Sequence, residues 1–284
     1  MAQPIMLVTG GNAGMGLETV IGLARSGARV VLLSRDPGRG AAAREEALRR
    51  SGPGPADIEL MTADLASLAS IEAFAERFHS RYPRLDVLVN NAGVVTIRRE
   101  ETEDGFERML GVNHLGHFAL TGRLLPALLA APAARVVVVS SGAHKAGRIH
   151  DPDPHLRKGF NVVKGYAQSK LANLLFTLEL RERLRETAVR AHALHPGAVA
   201  TSLGVSRETG FGRGIYRLLR PFFQTAEEGA ATAIHLALSE EGGREGSLYY
   251  ADSKPLRPAA KAEDLDAARR LWAWSEQQTG VRWD

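Results

Sequence analysis

Apolar residues along the chain alternate between two kinds of run. Short blocks rich in Val, Ile and Leu occupy 5–8, 28–33, 58–62, 87–90, 136–139 and 189–194, with a seventh at 247–250. Within each block apolar residues follow one another instead of alternating with polar ones, which predicts strands covered on both faces. Between them, 41–50, 68–78, 106–129, 168–185 and 227–238 carry helical periodicity. A strand-helix alternation repeated this often predicts an α/β fold: one doubly wound parallel sheet of about seven strands with helices on both faces. The Pro/Gly-rich piece 51–55 is too short to act as an interdomain linker, so residues 1–284 are expected to form a single domain. Two stretches break the alternation, 142–165 and 202–223. Each follows the end of a strand, where open sheets of this kind take their ligands, and both are expected to be substrate loops.

Composition narrows the class. Of 284 residues, 44% are hydrophobic and 24% charged, within the range of ordinary globular proteins. There is no cysteine, which removes disulfides and thiolate chemistry and suits a reducing cytoplasm. Thirty-six basic and 32 acidic residues give a net charge of +4 without a basic block, so no nucleic-acid partner is expected. The longest apolar stretch, 124–134, is interrupted by Pro126 and Pro132 and is too short to span a bilayer. The first strand begins within a few residues of Met1, leaving no room for a signal peptide. A cytoplasmic protein without membrane contact is the expectation.

Straight after the first strand comes Thr9-Gly10-Gly11-Asn12-Ala13-Gly14-Met15-Gly16. Gly10, Gly14 and Gly16 allow a sharp turn and close approach of a pyrophosphate, which the free amides and dipole of the following helix would hold. The second strand ends Leu33-Ser34-Arg35. An acid there would accept the ribose 2′-hydroxyl of NAD, whereas Arg35, with Arg39 beyond it, suits the 2′-phosphate of NADP. NADP(H) is therefore the preferred cofactor and NAD(H) the alternative. Asp36 argues the other way unless it caps the next helix. Asp64, followed by Leu65 at the exit of the third strand, either faces the adenine amino group or caps a helix.

Taken with Asn90-Asn91-Ala92-Gly93, Asn113, Ser140-Ser141, Tyr166-(x3)-Lys170 and Pro196-Gly197-x-Val199-x-Thr201, this turn makes an ordered set that resembles the short-chain dehydrogenase/reductase family over nearly the whole chain. More narrowly, the stretches 166–177 and 222–230 and the long gap from Ser141 to Tyr166 resemble the retinol dehydrogenase branch. That branch often carries an N-terminal membrane anchor, which this sequence is expected to lack. The resemblance implies a Rossmann-type fold, a nicotinamide cofactor, and homodimers or homotetramers, although the Trp-containing segment 255–284 could cover an assembly surface.

Tyr166 and Lys170 are four apart and share a helix face. A lysine ammonium about 4 Å from a phenol contributes ~4 kcal/mol toward phenolate at an effective dielectric near 20. This predicts a phenol acidified toward neutral pH for general acid–base work. Ser141 ends the fifth strand, where its hydroxyl can orient a substrate oxygen; Ser140 is the competing choice, and the resemblance favours Ser141. By the same resemblance Asn113 holds a relay water behind Lys170. Asn91, Ala92 and Gly93 border the cofactor, while Pro196, Gly197, Val199 and Thr201 meet its carboxamide. His114 and His117 lack the acid that would complete a metal site, so no metal is expected. His144, His150 and His155 are expected mainly in solvent. Residues 211–223 mix Phe, Leu and Arg; a hydrophobic lid or a basic interfacial helix fits, with the lid favoured by its position after the Pro-Gly turn.

The expected activity is NADP(H)-dependent interconversion of a carbonyl and an alcohol on a lipophilic small molecule such as a retinoid, steroid or polyketide. The rivals are a sugar-nucleotide epimerase or dehydratase, a carbon–carbon double-bond reductase and a non-catalytic NADP(H) sensor.

Overall fold

The computed structural model describes residues 2–52, 54, 56–197 and 225–283. Eight strands form one sheet in the order β3-β2-β1-β4-β5-β6-β7-β8. They are β1 (Ile5–Thr9), β2 (Arg29–Ser34), β3 (Asp57–Thr62), β4 (Val87–Asn90), β5 (Ala134–Val139), β6 (Val189–Leu194), β7 (Tyr249–Ala251) and β8 (Lys254–Pro255). All pair in parallel except β8, a two-residue strand antiparallel to β7 that the apolar pattern did not announce. The strand order reverses at β1: β2 and β3 extend to one side of it and β4 to β8 to the other. The C-terminal ends of β1 and β4 therefore diverge, opening a crevice between their following loops.

Among the described residues the α-helices are α1 (Gly14–Arg25), α2 (Pro37–Arg50), α3 (Leu68–Arg81), α4 (Arg108–Leu110), α5 (Gly116–Arg123), α6 (Leu125–Leu129), α7 (Val162–Arg183), α8 (Ala226–Leu238) and α9 (Leu265–Thr279). One face of the sheet packs on α1, α2 and α8 through residues such as Val8, Val30, Val137 and Leu236. The other packs on α3, α5 and α7 through Leu7, Phe74, Phe118, Val138 and Phe176. Both faces are apolar because both are covered, which is why the strand blocks lack alternation.

Two expectations about elements need correction. The single helix over 106–129 is instead α4, a π turn at Gly111–Leu115, α5 and α6. Tertiary contacts impose the break. A Cβ at Gly111 would strike Thr102 and one at Gly116 would strike the Leu65 carbonyl, so the chain passes where only glycine fits. Leu124 then caps α5, and Pro126 starts α6 in the first turn, where its missing N–H costs nothing. The loop 142–165 is shorter than expected, since α7 begins at Val162, capped by Asn161 accepting from the Lys164 amide.

Helix α9 folds back on α5 and α7. Trp272 is 1% exposed, with ring centroids 4.9 Å from Phe118 and 4.6 Å from Trp283, and the Arg183 guanidinium lies 4.5 Å above it. Large-to-small substitution at such a site loses both transfer energy and packing, so Trp272→Ala is expected to lower stability by ~3–5 kcal/mol. Urea denaturation checks this as a fall in midpoint at unchanged slope.

Candidate active site

Beyond Thr9 the chain turns through Gly10 and Gly14, both left-handed with φ of +65° and +53°, before entering α1. A Cβ on Gly16 would overlap the Gly10 carbonyl and stand 2.6 Å from Asn91 Nδ2. The helix start has no side-chain cap on Ala13 and no acid in its first turn, so its amides are left for an anion. Thr9 anchors the turn. Its Oγ1 accepts from the amides of Asn91 and Ala92, each at 2.9 Å, and lies 2.9 Å from His117 Nε2. Asn91 Nδ2 in turn donates to the Thr9 carbonyl.

This turn opens one wall of a cavity of about 530 Å³ in the β1/β4 crevice. Gly10, Asn12, Gly14, Met15, Gly16, Arg35, Asp64, Leu65, Asn91, Ala92, Gly93, Ser141, Tyr166, Lys170, Pro196 and Gly197 all line it. Asn113 lies behind this wall rather than on it, and Val199 and Thr201 fall outside the described residues, as do 202–223. At the far end Asp36, which also lines the cavity, caps α2 by accepting from the Arg39 amide at 2.9 Å. Arg35 Nε is 4.0 Å from the Asp64 carboxylate, and Arg39 also lines the cavity. The capping alternative for Asp64 is corrected: Ser67 caps α3, while Asp64 accepts from the Ala66 amide. An apolar, elongated cavity with an uncapped helix start at one end and two arginines at the other fits a phosphorylated dinucleotide in size and charge.

The two serines after β5 separate cleanly. Ser140, buried, donates to the Lys170 carbonyl at 2.7 Å. Ser141 faces the cavity, with its Oγ accepting from the Ala143 amide at 3.2 Å. Lys170 is 3% exposed and donates to the Val139 carbonyl at 3.0 Å, which Asn173 also reaches at 3.1 Å. Burial lowers its pKa from 10.5 to about 8. The expected acidified phenol is not found. Burial raises the Tyr166 pKa, and only a hydrogen bond with Ser141 opposes it by favouring phenolate. The ammonium is spent on Val139 and sits 5.8 Å from the centre of the Tyr166 ring, so the predicted attraction is replaced by shared desolvation.

Asn113 is fully buried in the π turn. Its Oδ1 accepts from the Val94 amide at 2.8 Å, and Nδ2 donates to the Val94 carbonyl and Ser169 Oγ. The side chain thus pins the strand exit at Gly93–Val94 beside Lys170. Its backbone carbonyl accepts from His117 Nδ1 at 3.0 Å. His117, with pKa lowered to about 4 by burial, and His114, lowered to about 3 and bonded to Ser275, are neutral core groups. The solvent expectation for the loop histidines is corrected as well. His144 is fully buried, and His155 is 6% exposed between Phe106 and Trp274; His150 is half-buried.

Some participants gave little sequence signal. Gln168, between Tyr166 and Lys170, holds the preceding loop by accepting from the His150 amide and donating to the Pro154 carbonyl. Its position inside the motif was the available hint. The His117 ring bridging Thr9 and Asn113 had only its four-residue spacing from Asn113 to suggest it.

A parallel sheet reversing at a glycine turn, with Ser, Tyr and Lys side chains gathered in the resulting crevice, defines a dinucleotide-dependent oxidoreductase. The short chain dehydrogenase family model matches residues 4–210, and the chain belongs to that family, acting on CH–OH or C=O groups with a nicotinamide cofactor. It is 40% identical to mouse retinol dehydrogenase 12 over 99% of this chain and 87% of that protein. It is 41% identical to human retinol dehydrogenase 14, covering 97% and 86%. Among solved structures, an uncharacterised protein of Mycobacterium paratuberculosis superposes with a TM-score of 0.79 at 34% identity, covering 100% and 96%. The NADP complex of Pseudomonas aeruginosa RhlG gives 0.69 at 26%, covering 92% and 97%.

Because folding lowers the Lys170 pKa from 10.5 to about 8, the unfolded chain binds more protons between those values. This group therefore weakens folding fully below about 8, and its penalty fades as pH rises toward 10.5. Lys170→Met is expected to stabilise the fold by ~1–3 kcal/mol near neutral pH, with a smaller gain under alkaline conditions. Denaturant titrations at the two pH values check it.

Proposed function

We propose that the protein is an NADP(H)-dependent reductase and dehydrogenase that interconverts a carbonyl and an alcohol on a lipophilic small molecule. The observation that carries this reading is the convergence of Ser141, Tyr166 and Lys170 on the cavity that begins at the glycine turn. Arg35 and Arg39 line its far end, within 4.0 Å of Asp64 and 3.9 Å of Asp36 respectively, and their guanidinium groups support NADP(H) over NAD(H). The retinol dehydrogenase names of the relatives and apolar Val94 and Val112 in the wall support a retinoid-like or comparably lipophilic substrate.

When bound, the cofactor supplies or accepts the hydride. The protein handles the oxygen and the proton. Ser141 orients the substrate oxygen, and Tyr166 exchanges a proton with it. A phenol whose pKa is raised stays protonated at neutral pH, which suits donation to the alkoxide formed in carbonyl reduction. Lys170, with its pKa near neutrality, replaces the proton. Asn113 fixes Gly93–Val94 beside Lys170, and its backbone carbonyl, which meets His117 Nδ1, is where a relay water would be held.

Tyr166→Phe is expected to lower kcat for NADPH-dependent carbonyl reduction by roughly 10²–10⁴-fold while leaving NADPH binding intact. Turnover of a panel of long-chain aldehydes, retinal and steroid ketones, followed by NADPH fluorescence, reads both. NADPH binding with no turnover by the unmodified protein would favour a sensor and reject the enzyme reading.

A second outcome concerns direction. Since the Tyr166 pKa is raised, alcohol oxidation should quicken as pH climbs into the alkaline range and carbonyl reduction should slow. Opposed pH–rate profiles for kcat/KM are the expected result. Arg35→Asp is expected to weaken NADPH binding by about tenfold or more relative to NADH.

A further inference from the structure

The turn that follows Ser141 is clamped from two sides. A 3-10 turn, Gly142–Ala146, leads from Ser141 to Gly147. Against α7 the fit is close: a Cβ on Gly147 would overlap the carbonyl of Ala167, the neighbour of Tyr166, and lie 2.9 Å from Leu171 Cβ. On the other side lies the segment after β8. Lys261 Nζ donates to the Gly147 carbonyl at 2.7 Å, and the Ala259 amide donates to His144 Nε2 at 3.1 Å.

The His144 hydrogen bonds fix its chemical form. Nδ1 is 2.8 Å from the Ser141 carbonyl, which can only accept, so Nδ1 carries the hydrogen. Nε2 takes the Ala259 amide, which can only donate, so Nε2 carries the lone pair. The ring is therefore neutral and of one tautomer, and the Tyr249 hydroxyl 3.4 Å from Nδ1 does not alter the assignment. The imidazole is fully buried, edge-on to the Tyr249 ring with centroids 5.1 Å apart. It runs as a strut from the backbone of Ser141 to the segment beyond β8, more than a hundred residues later.

We propose that His144 is a positioning residue for Ser141: it transfers the rigidity of the 259–261 segment to the serine whose hydroxyl faces Tyr166. The role rests on the catalytic reading of Ser141 given above. A hydroxyl that orients a reacting oxygen loses its value when it is displaced by about 1 Å, so holding its backbone carbonyl from outside the cavity tightens the site without touching substrate.

The test separates a strut from simple core filling. Three substitutions, His144→Phe, His144→Asn and Ala259→Pro, are made in the unmodified protein and in the Ser141→Ala background. Phe keeps the ring packing and loses both hydrogen bonds. Asn keeps a donor near the Nδ1 position for the Ser141 carbonyl. Ala259 has φ −63°, which proline adopts, so Ala259→Pro removes the amide hydrogen without backbone strain, and its ring Cδ, taking the hydrogen's place, pushes His144 Nε2 away. His144→Phe and Ala259→Pro are expected to lower kcat about tenfold with NADPH affinity unchanged, and His144→Asn to recover some of the loss. In the Ser141→Ala background the same substitutions should change kcat by less than about twofold, because the group they position is gone.

Equal factors in both backgrounds, or a loss confined to NADPH affinity, would overturn the proposal. Nitrogen-15 NMR of labelled histidine provides a readout independent of turnover. His144 is expected as the Nδ1–H tautomer, and finding the proton on Nε2 would refute the strut directly. An unmodified protein that binds NADPH but reduces no carbonyl would instead refute the reaction, whatever the tautomer.

Discussion

One hydroxyl, Thr9 Oγ1, governs how β1 and β4 diverge. By accepting from two successive amides at the β4 exit and meeting His117 on α5, it fixes three elements at a single point. The single ring hydrogen of neutral His117 sits on Nδ1 and goes to the Asn113 carbonyl, so Nε2 carries the lone pair and can accept the Thr9 hydroxyl proton, which the Val89 carbonyl at 3.3 Å also attracts. Asn113 then holds Val94 from the opposite direction. The glycine turn, the β4 exit and the start of the π turn are thus joined through neutral, fully buried partners. Neutrality matters, because a charged group at this depth would cost several kcal/mol unless paired.

Among the described residues, the one cation placed at similar depth is accordingly expensive. Among the described residues Lys170 has a carbonyl oxygen and no carboxylate to compensate its burial, and its lowered pKa expresses that cost. Tyr166 shows the same desolvation with the opposite sign. Both groups are pushed toward their uncharged forms, so Lys170 drops to about 8 while Tyr166 rises above 10.0 and their pKa values move apart. A proton therefore passes readily from the Lys170 ammonium to a Tyr166 phenolate, the direction that restores the phenol after it has given its proton to substrate. Function here is drawn from destabilised side chains, and the dense neutral network around Thr9 carries the structural load.

Much of the architecture was legible in the sequence because burial on both sheet faces leaves uninterrupted Val/Ile/Leu blocks at β1, β2, β4, β5 and β6. The helix around Gly111 and Gly116 was misread because its break comes from Thr102, in the preceding irregular segment, and from Leu65, a contact distant in sequence. β8 is too short to produce a pattern. The site residues were legible where glycine, serine, tyrosine and lysine occur at fixed spacing. Their energetics were not. Spacing put Lys170 on the same helix face as Tyr166, but the Val139 carbonyl that claims its ammonium belongs to β5. The loop histidines failed for a related reason: polar residues in an irregular segment look solvated until Phe106, Trp274 and Tyr249 arrive from elsewhere in the chain.

The aromatic cluster under α9 bears on the order in which the molecule is made. Phe118 and Phe176 are translated well before Trp272 and Trp283, which close over them. Until those tryptophans emerge, that flank of the nascent sheet stays apolar and open, even though the glycine turn and its strands can already be in place. Completion of the fold therefore waits on the later segment, and the interval before it is the period in which a chaperone has most to shield.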